Sequence, residues 1–232
     1  MNSEAGGRAI GSDRGAGGPA EQTNQHVLDG LHEQLESWRA ELKGGARRVG
    51  WKIGLNVPEV QERLGLREPV IGFLTSATQL ESGGAYSGGA AVALKAEPEV
   101  GIRVGRDGAI AGVGPALELV DVGRPPGDLQ AIIAGNIFHR AFVLGPTQPA
   151  MPPEGVNAGV VVNGELRAQA AAPEDFTEVV MLVARLLEAA GEHLREGDTI
   201  IGGSLTEQVD VGPGDSLTAD LGPLGRVTAR VT

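Results

Sequence analysis

The sequence predicts an α+β fold whose core is built mainly from short β-strands. Helical spacing of apolar residues is sustained near residues 28–42 and 176–187, whereas many shorter stretches show the alternation or apolar clustering of strands. The 37 glycines among 232 residues suit a loop-rich β structure. Because strands and helices do not alternate regularly, we expect a β-rich core with a few flanking helices rather than a parallel βαβ sheet.

The N-terminal segment is rich in glycine, alanine and serine and has no apolar periodicity. This composition predicts a disordered leader over residues 1–25, which leaves residues 26–232 as a single domain. From His26 onward, apolar residues recur every three or four positions and predict an amphipathic helix that ends at Gly44-Gly45. The residues of this stripe are Leu28, Leu31, Leu35, Trp38 and Leu42.

Residues 47–55 predict a strand in which Lys52 is the polar exception. The opposite face would be apolar, with Val49, Trp51, Ile53 and Leu55. Gly50 and Gly54 flank the lysine and would open space beside it. If that space is a pocket, Lys52 could act as a general acid or base. The alternative is a lysine that faces solvent.

Residues typical of helix N-caps and of tight turns predict further helices and hairpins in the rest of the chain. Asn56 is the predicted N-cap of one short helix and Asp128 that of another. A second long amphipathic helix is expected over residues 175–190. Asn163-Gly164 and residues 222–225 predict tight hairpins between strands.

Two carboxylates lie on one face of the strand predicted for residues 94–104. Glu97 and Glu99 are two positions apart, so their side chains point the same way. Glu118, in the next apolar stretch, would also face away from the core. Carboxylates this close are costly without a cation between them, and three on neighbouring strands suit Mg²⁺ or Mn²⁺. The alternative is a solvated edge strand, since Pro98 cannot donate to a central ladder.

A glycine-rich turn follows the strand predicted for residues 198–201. Gly203, Ser204 and Thr206 could present backbone N–H groups and hydroxyls to an anion, with an ordinary tight turn as the alternative. His139 lies not far in sequence from Glu118 and could reach the same site. The other three histidines are expected on the surface.

Charge and composition exclude several classes of function. The formal net charge of −11 is unsuited to nucleic acid or anionic membranes, which bind clustered Lys and Arg. No apolar run approaches the length of a membrane span and no signal-peptide pattern opens the chain, so we expect a cytoplasmic protein. The absence of cysteine excludes disulfides, a thiolate nucleophile and a cysteine-type zinc site.

Seven pieces of the sequence, in order, resemble the 2-oxo-4-pentenoate hydratase and 4-oxalocrotonate decarboxylase group of the fumarylacetoacetate hydrolase superfamily. The resemblance runs from about Gln34 to the C-terminus. The pieces are GWKIGL at 50–55, GFLT at 72–75, EPE at 97–99, PALELVD at 115–121, FVLG at 142–145, VNG at 162–164 and GSLT at 203–206. The resemblance implies the mixed β-roll or β-sandwich core of that superfamily, with a few flanking helices.

The same resemblance implies a set of site residues. Glu97, Glu99 and Glu118 would hold Mg²⁺ or Mn²⁺, and Lys52 would be the catalytic lysine beside the metal. His139 is a second candidate catalytic residue. The candidate substrate-binding residues are Gly203, Ser204 and Thr206.

The chain departs from the family pattern at several places. Ser76-Ala77 stand where the family usually carries acidic residues, and Gly135 replaces another acid. Residues 167–172 stand in place of the usual glycine-rich substrate loop. Because the resemblance assigns one of the missing acids to water addition, we expect a reshaped pocket and weak hydration of the simplest dienoate.

The implied function is a metal-dependent lyase, a hydratase or a decarboxylase, that acts on a small-molecule 2-oxo or 2-hydroxydienoic acid through a metal-stabilised enolate. A tautomerase or C–C hydrolase of the same superfamily is one alternative. A non-catalytic partner of such an enzyme is another. The resemblance also implies a homo-oligomer.

Overall fold

The computed structural model describes residues 19–232 except 124, 126, 150–155 and 174. Its described part confirms the α+β class, with two β-sheets flanked by four α-helices. The helices are α1 (Pro19–Lys43), α2 (Pro58–Leu64), α3 (Leu129–Ala134) and α4 (Thr177–Ala189). The strands are β1 (Arg48–Gly54), β2 (Val70–Thr75), β3 (Gln79–Leu80), β4 (Gly84–Tyr86), β5 (Leu94–Val104), β6 (Ile110–Asp121), β7 (His139–Leu144), β8 (Asn157–Val162), β9 (Glu165–Ala171), β10 (Thr199–Ile201), β11 (Val209–Asp210), β12 (Ser216–Asp220) and β13 (Arg226–Val231).

The two sheets differ in size and pack against each other. The larger sheet has the order β2-β1-β10-β5-β6-β7-β3, with β11 paired to the first part of β5. The smaller sheet has the order β4-β13-β12-β8-β9. The long antiparallel pair β5–β6 lies at the centre of the larger sheet, and β8, β12 and β13 of the smaller sheet contact it. This arrangement agrees with the expected sandwich-type core.

Strand β5 is central in its sheet, so the alternative of a solvated edge strand is wrong. It pairs with β6 on one side and with β10 and β11 on the other. Pro98 lies in the gap between β10 and β11, where its carbonyl accepts a hydrogen bond from the N–H of Leu205. Because the N–H and C=O of one strand residue point to the same side, the missing N–H of proline leaves every bond to β6 intact.

The two faces of the β5–β6 pair serve different purposes. One face belongs to the main hydrophobic core, to which the pair contributes Ala96, Val100, Ile102, Leu117 and Leu119. The other face carries the three glutamates beside a separate small apolar cluster. That cluster consists of Leu74, Ala116, Phe142 and Ile201. The carboxylates therefore lie in apolar surroundings rather than in water.

Helix α1 begins at Pro19, before the start expected at His26. The boundary predicted between leader and domain at residue 25 therefore falls inside a helix. Proline is tolerated in the first helical turn, and Glu21 and Gln22 are good helix formers, which explains the earlier start. The rest of the predicted leader, residues 1–18, lies outside the described residues.

The N-cap of α2 is Val57, one residue later than predicted. Asn56 donates from Nδ2 to the carbonyl oxygen of Ser204 at 3.3 Å instead, and so links the start of α2 to the loop after β10. Its amide is used for a tertiary contact, which a local capping rule does not consider.

Other local predictions are confirmed. Asp128 caps α3, because its Oδ1 accepts from the backbone N–H of Ala131 at 2.7 Å. Asn163-Gly164 forms the turn of the β8–β9 hairpin with positive φ at both residues. Helix α4 starts at Thr177, slightly later than expected. In the described part of the chain, no helix combines the length and apolarity needed to cross a membrane.

Candidate active site

Three glutamates of β5 and β6 converge on one point. Glu97 lies directly opposite Glu118 in the register of the two strands, and Glu99 follows Glu97 on the same face. One carboxylate oxygen from each residue lies within 4.8 Å of the others. All three side chains are buried, and Glu99 and Glu118 have no exposed surface. The structure thus brings the three predicted metal ligands together.

Two oxygens of this cluster, Glu99 Oε1 and Glu118 Oε2, have no hydrogen-bond partner among the described residues. A buried polar atom left in this state costs about 1–3 kcal/mol, and more when it is charged. Other oxygens of the cluster are bound: Glu97 Oε1 accepts from Gln208 Nε2 at 2.5 Å, and Glu99 Oε2 accepts from the N–H of Gly203 at 2.9 Å. Mg²⁺ and Mn²⁺ prefer carboxylate oxygens, so this donor set fits a divalent cation.

The pKa values of the three glutamates also favour a bound cation. Burial, and then the charge of Glu118, raise the pKa of Glu97 to about 7. Burial and the two neighbouring carboxylates raise the pKa of Glu99 well above its ordinary value. Burial also acts to raise the pKa of Glu118, but Lys52 and His139 oppose it and together lower that pKa. Two of the carboxylates therefore hold protons readily unless a cation takes their place.

Lys52 is buried at the edge of the cluster, with 2% of its side chain exposed, so the solvent-facing alternative is wrong. Its Nζ lies 2.6 Å from Glu118 Oε1. It also donates to the carbonyl oxygen of Ile137 at 3.2 Å. A single ammonium facing three carboxylates leaves two negative charges unbalanced when all are ionised, which is the charge that a divalent cation neutralises.

Of the two glycines that flank Lys52, Gly54 lines a cavity beside the lysine, whereas Gly50 does not belong to the described lining. A β-carbon on Gly50 would lie 1.9 Å from a carbonyl oxygen of β10, and one on Gly54 would lie 2.8 Å from Ile137 Cγ2. Both glycines therefore also permit close packing against a neighbouring element. The glycine that makes room for the lysine is Gly72, which faces it from β2 and whose β-carbon would lie 2.8 Å from Lys52 Cγ.

A left-handed turn after α3 supplies the carbonyl that Lys52 contacts. Asn136, Ile137 and Phe138 have φ values of 58°, 51° and 64°. Non-glycine residues in this region cost about 1–3 kcal/mol each and persist where the surroundings hold them. The amide of Asn136 does so here, because it accepts from the N–H of Phe73 at 2.9 Å and donates to the carbonyl of Phe73 at 3.0 Å.

His139 lies behind Glu118 rather than on the wall of a pocket. Its Nδ1 is 2.6 Å from Glu118 Oε1, and its Nε2 is 2.9 Å from the hydroxyl of Thr78. Burial lowers the pKa of His139, which favours the neutral ring. A neutral ring next to an ionised carboxylate places its proton on Nδ1, so Nε2 accepts from Thr78. This is the place of a positioning residue.

The residues of the glycine-rich turn have two roles: one holds a glutamate of the cluster, and two line the cavity. Gly203 holds Glu99 through its N–H, as described above. Ser204 and Thr206 line the neighbouring cavity. The hydroxyl of Ser204 donates to the carbonyl of Thr206 at 2.9 Å, and that of Thr206 donates to the carbonyl of Glu207 at 2.8 Å. The turn is therefore ordered by its own hydroxyls, and each must rotate to donate to a ligand.

A cavity of about 590 Å³ opens beside Lys52 and Glu97, which form part of its wall. Its described lining does not include Glu99, Glu118 or His139, all of which are buried behind that wall. Ser76 and Ala77, where the expected acids are missing, do not belong to the described lining either. Thr78, the residue after Ala77, contacts His139 through its hydroxyl.

Sequence reasoning missed Gln208, Gly72 and the role of Asn136. Gln208 lies in an irregular segment, far along the chain from its partner Glu97. Gly72 and Lys52 are brought together by the register of β1 and β2. Gly72 and Asn136 belong to the family-like pieces Gly-Phe-Leu at 72–74 and Gly-Asn at 135–136. No local spacing, however, links either residue to Lys52.

The chain is similar to characterised hydratases and decarboxylases. It is 30% identical over 220 residues to the TodF product hydratase of Pseudomonas putida F1. The alignment covers 85% of this chain and 81% of that protein. It is 29% identical over 217 residues to a 4-oxalocrotonate decarboxylase of Pseudomonas putida, covering 85% of this chain and 82% of the relative. No protein-family model matches the chain.

Solved structures establish the fold. The 4-oxalocrotonate decarboxylase of Pseudomonas putida G7, complexed with magnesium and adipate, superposes with a TM-score of 0.76 at 24% identity and covers 92% of this chain and 95% of its own. The fumarylpyruvate hydrolase of Pseudomonas aeruginosa, complexed with Mn²⁺ and pyruvate, superposes with a TM-score of 0.63 at 20% identity, over 80% of this chain and 89% of its own. The chain therefore has the fold of the fumarylacetoacetate hydrolase superfamily, and it belongs to the family of 2-oxo-4-pentenoate hydratases and 4-oxalocrotonate decarboxylases, which are metal-dependent enzymes.

Proposed function

We propose that this protein is a metal-dependent lyase that acts on a 2-oxo or 2-hydroxydienoic acid. The observation that carries the proposal is the cluster of three buried carboxylates with Lys52 at the wall of a cavity. The relatives named hydratase and decarboxylase support this reaction class over a tautomerase or a C–C hydrolase. The intact cluster argues against a non-catalytic partner.

Glu97, Glu99 and Glu118 would hold the divalent cation. Mg²⁺ or Mn²⁺ bound there would supply Lewis-acid stabilisation of the negative charge that develops on the 2-oxo oxygen of the substrate. The chain's own contribution is to hold the ligands in place. Gly203, Gln208 and His139 each fix one carboxylate through a hydrogen bond.

Lys52 would move a proton to or from the conjugated carbon chain of the substrate. Its ammonium lies against Glu118 and the carbonyl of Ile137, both of which accept a hydrogen bond from the charged form. Proton transfer to a substrate carbon breaks one of these contacts, and the lysine then takes its proton back from solvent or substrate. Lys52 and Glu97 both line the cavity, and the charge of Lys52 acts on Glu97, so the reacting part of the substrate would bind beside these two residues.

Ser204 and Thr206 would bind the carboxylate or the tail of the substrate from the cavity wall. Each hydroxyl donates within the loop in the absence of a ligand, and rotation about the side-chain bond would turn it toward an anion. We place Gly203 with Glu99 and give His139 a positioning role, because neither belongs to the described cavity lining.

One experiment tests the reaction class. The protein is incubated with Mn²⁺ and, separately, with 2-hydroxypenta-2,4-dienoate, 4-oxalocrotonate and pyruvate, and turnover or exchange of the C3 protons is followed by absorbance and NMR. We expect metal-dependent proton exchange in pyruvate and weak hydration of the simple dienoate, since Ser76 and Ala77 replace the expected acids. An absence of exchange and of turnover with all three compounds would refute the lyase assignment.

We also propose a homo-oligomer, on the resemblance alone, and a location in the cytoplasm, because no apolar run of the sequence approaches the length of a membrane span. Light scattering on the purified protein measures the oligomeric state, and a monomer at micromolar concentration would contradict the first part. Fractionation of the producing cells checks the second part.

A further inference from the structure

The cavity beside the carboxylate cluster is larger than a short 2-oxo acid needs. Its volume of about 590 Å³ lies within the range of roughly 300–1,000 Å³ that holds drug-sized ligands. A five-carbon 2-oxo acid anchored at Lys52 and Glu97 would occupy one end. The remaining space is continuous with the reaction site, so a longer substrate would extend into it.

Apolar side chains form a large part of the described lining of this cavity. Val60 and Leu64 approach from α2, Ile132 from α3, and Ile137 and Phe138 from the left-handed turn. These residues come from three separate elements, which places apolar side chains on more than one side of the cavity. Ile132 and Ile137 are among the buried residues of the described chain.

Apart from Lys52 and Glu97, the charged residues of the described lining are exposed or paired. Arg63 and Glu207 are exposed and of opposite sign. The ammonium of Lys95 pairs with Asp210 at 2.6 Å. A second carboxylate on the substrate would therefore find apolar walls inside and partly balanced charges outside. Moving a charge out of water without a partner is costly, whereas burial of an apolar group is favourable.

The turn that carries Ile137 and Phe138 has a strained backbone. Three consecutive non-glycine residues keep positive φ values there. Small polar residues or glycine would adopt this backbone with less strain, yet the chain places isoleucine and phenylalanine at the cavity wall. Because one carbonyl of the turn contacts Lys52, the same segment shapes the reaction end and the apolar end of the cavity.

We propose that the natural substrate carries a large, uncharged, apolar group at the end of its chain distal to the 2-oxo acid, and that Val60, Leu64, Ile132, Ile137 and Phe138 bind this group. The inference rests on the proposed function, since it takes the 2-oxo acid end to lie at Lys52 and Glu97. It names the class of substrate, a 2-oxo or 2-hydroxydienoic acid with an aryl or alkyl substituent.

Calorimetric titration of the Mn²⁺-loaded protein with four 2-oxo acids tests the proposal. The ligands are pyruvate, 2-oxohexanoate, 2-oxoadipate and 2-oxo-4-phenylbutanoate. We expect 2-oxohexanoate to bind at least tenfold more tightly than pyruvate and than 2-oxoadipate, because each buried methylene contributes up to about fourfold. We expect the phenyl compound to bind more tightly still.

Two variants on α2 locate the binding region. Val60→Phe fills the cavity and should reduce the preference for 2-oxo-4-phenylbutanoate over pyruvate by about tenfold. Glu62→Phe adds the same side chain at an exposed position of the helix outside the described lining, and should leave that preference unchanged. An equal effect of both variants would contradict the assigned location.

The outcomes separate this inference from the function on which it rests. Tighter binding of 2-oxoadipate than of 2-oxohexanoate, lost in Arg63→Ala, would overturn the apolar group in favour of a second carboxylate. Equal affinities for pyruvate and the longer acids would also overturn it. If none of the four acids binds in the presence of Mn²⁺, the proposed function itself fails, and the inference fails with it.

Discussion

Lys52 and Glu118 form a buried ion pair in which the ammonium nitrogen lies 2.6 Å from Oε1 of the carboxylate. The same oxygen is 2.6 Å from Nδ1 of His139, while Oε2 has no partner among the described residues. One side of this carboxylate is thus saturated with donors and the other is left for a cation.

Replacement of the lysine tests proton transfer. Lys52→Met keeps the length of the side chain and removes the proton, so metal-dependent C3 exchange of a 2-oxo acid should fall by roughly 10²-fold or more. Mn²⁺ affinity should change little. The control is Lys95→Met, which removes a cavity-lining ammonium that pairs with Asp210 and should cost at most a few-fold. Full exchange activity in Lys52→Met would remove the lysine from the mechanism.

Neutralisation of one ligand tests the metal site. Glu99→Gln keeps the volume of the side chain but removes the charge of a carboxylate with one unpaired oxygen, so Mn²⁺ affinity measured by calorimetry should fall by about 10²-fold or more. Asp121→Asn is the matched control. Asp121 is also a buried carboxylate, on the adjacent strand β6, but it accepts hydrogen bonds from backbone N–H groups and does not belong to the glutamate cluster. A comparable loss in both variants would show a general loss of structure.

Replacement of the imidazole behind Glu118 tests whether His139 positions that carboxylate. His139→Phe retains the ring volume and removes the hydrogen bonds to Glu118 and Thr78, so Mn²⁺ affinity should fall about 10–100-fold, the usual effect of groups that orient a ligand. His32→Phe, at an exposed position of α1, serves as the control. Unchanged Mn²⁺ affinity in His139→Phe would contradict the positioning role.

The raised pKa values predict a pH dependence of metal binding. Burial and the charge of Glu118 raise the pKa of Glu97 to about 7, so protons compete with the cation below that pH. Apparent Mn²⁺ affinity should fall by up to about tenfold per pH unit below 7 for each proton displaced. Calorimetry in buffers with different heats of ionisation counts the protons released. An affinity that is constant between pH 5.5 and 8 would refute this.

The same pKa values predict how the metal changes stability. A carboxylate whose pKa is raised on folding stabilises the metal-free protein at low pH, and this contribution is lost as the pH rises from the unfolded value of 4.5 through about 7. The increase in Tm caused by Mn²⁺ should therefore be larger at pH 8 than at pH 6. Melting curves with Mn²⁺ and with EDTA at both values measure it, and the reverse order would contradict the ionisation assigned to the cluster.

Local sequence patterns were enough to predict the fold class and the candidate metal ligands. Alternation in β5 placed Glu97 and Glu99 on one face, since side-chain direction in a strand repeats every two residues whatever the strand pairs with. The stripe of α1 and the turn at Asn163-Gly164 are local in the same sense, because periodicity and positive φ depend on neighbours in the chain. The seven family pieces then identified the superfamily.

The surroundings of these residues depend on contacts that exist only in the folded chain. Whether Lys52 is buried depends on Gly72 across a strand pair, and whether Asn56 caps a helix depends on a carbonyl of Ser204 that competes for its amide. The position of Gln208 on Glu97 depends on where an irregular segment returns to β5. Contacts of this kind join residues far apart in the chain through strand register and loop closure, and short-range spacing carries no information about either.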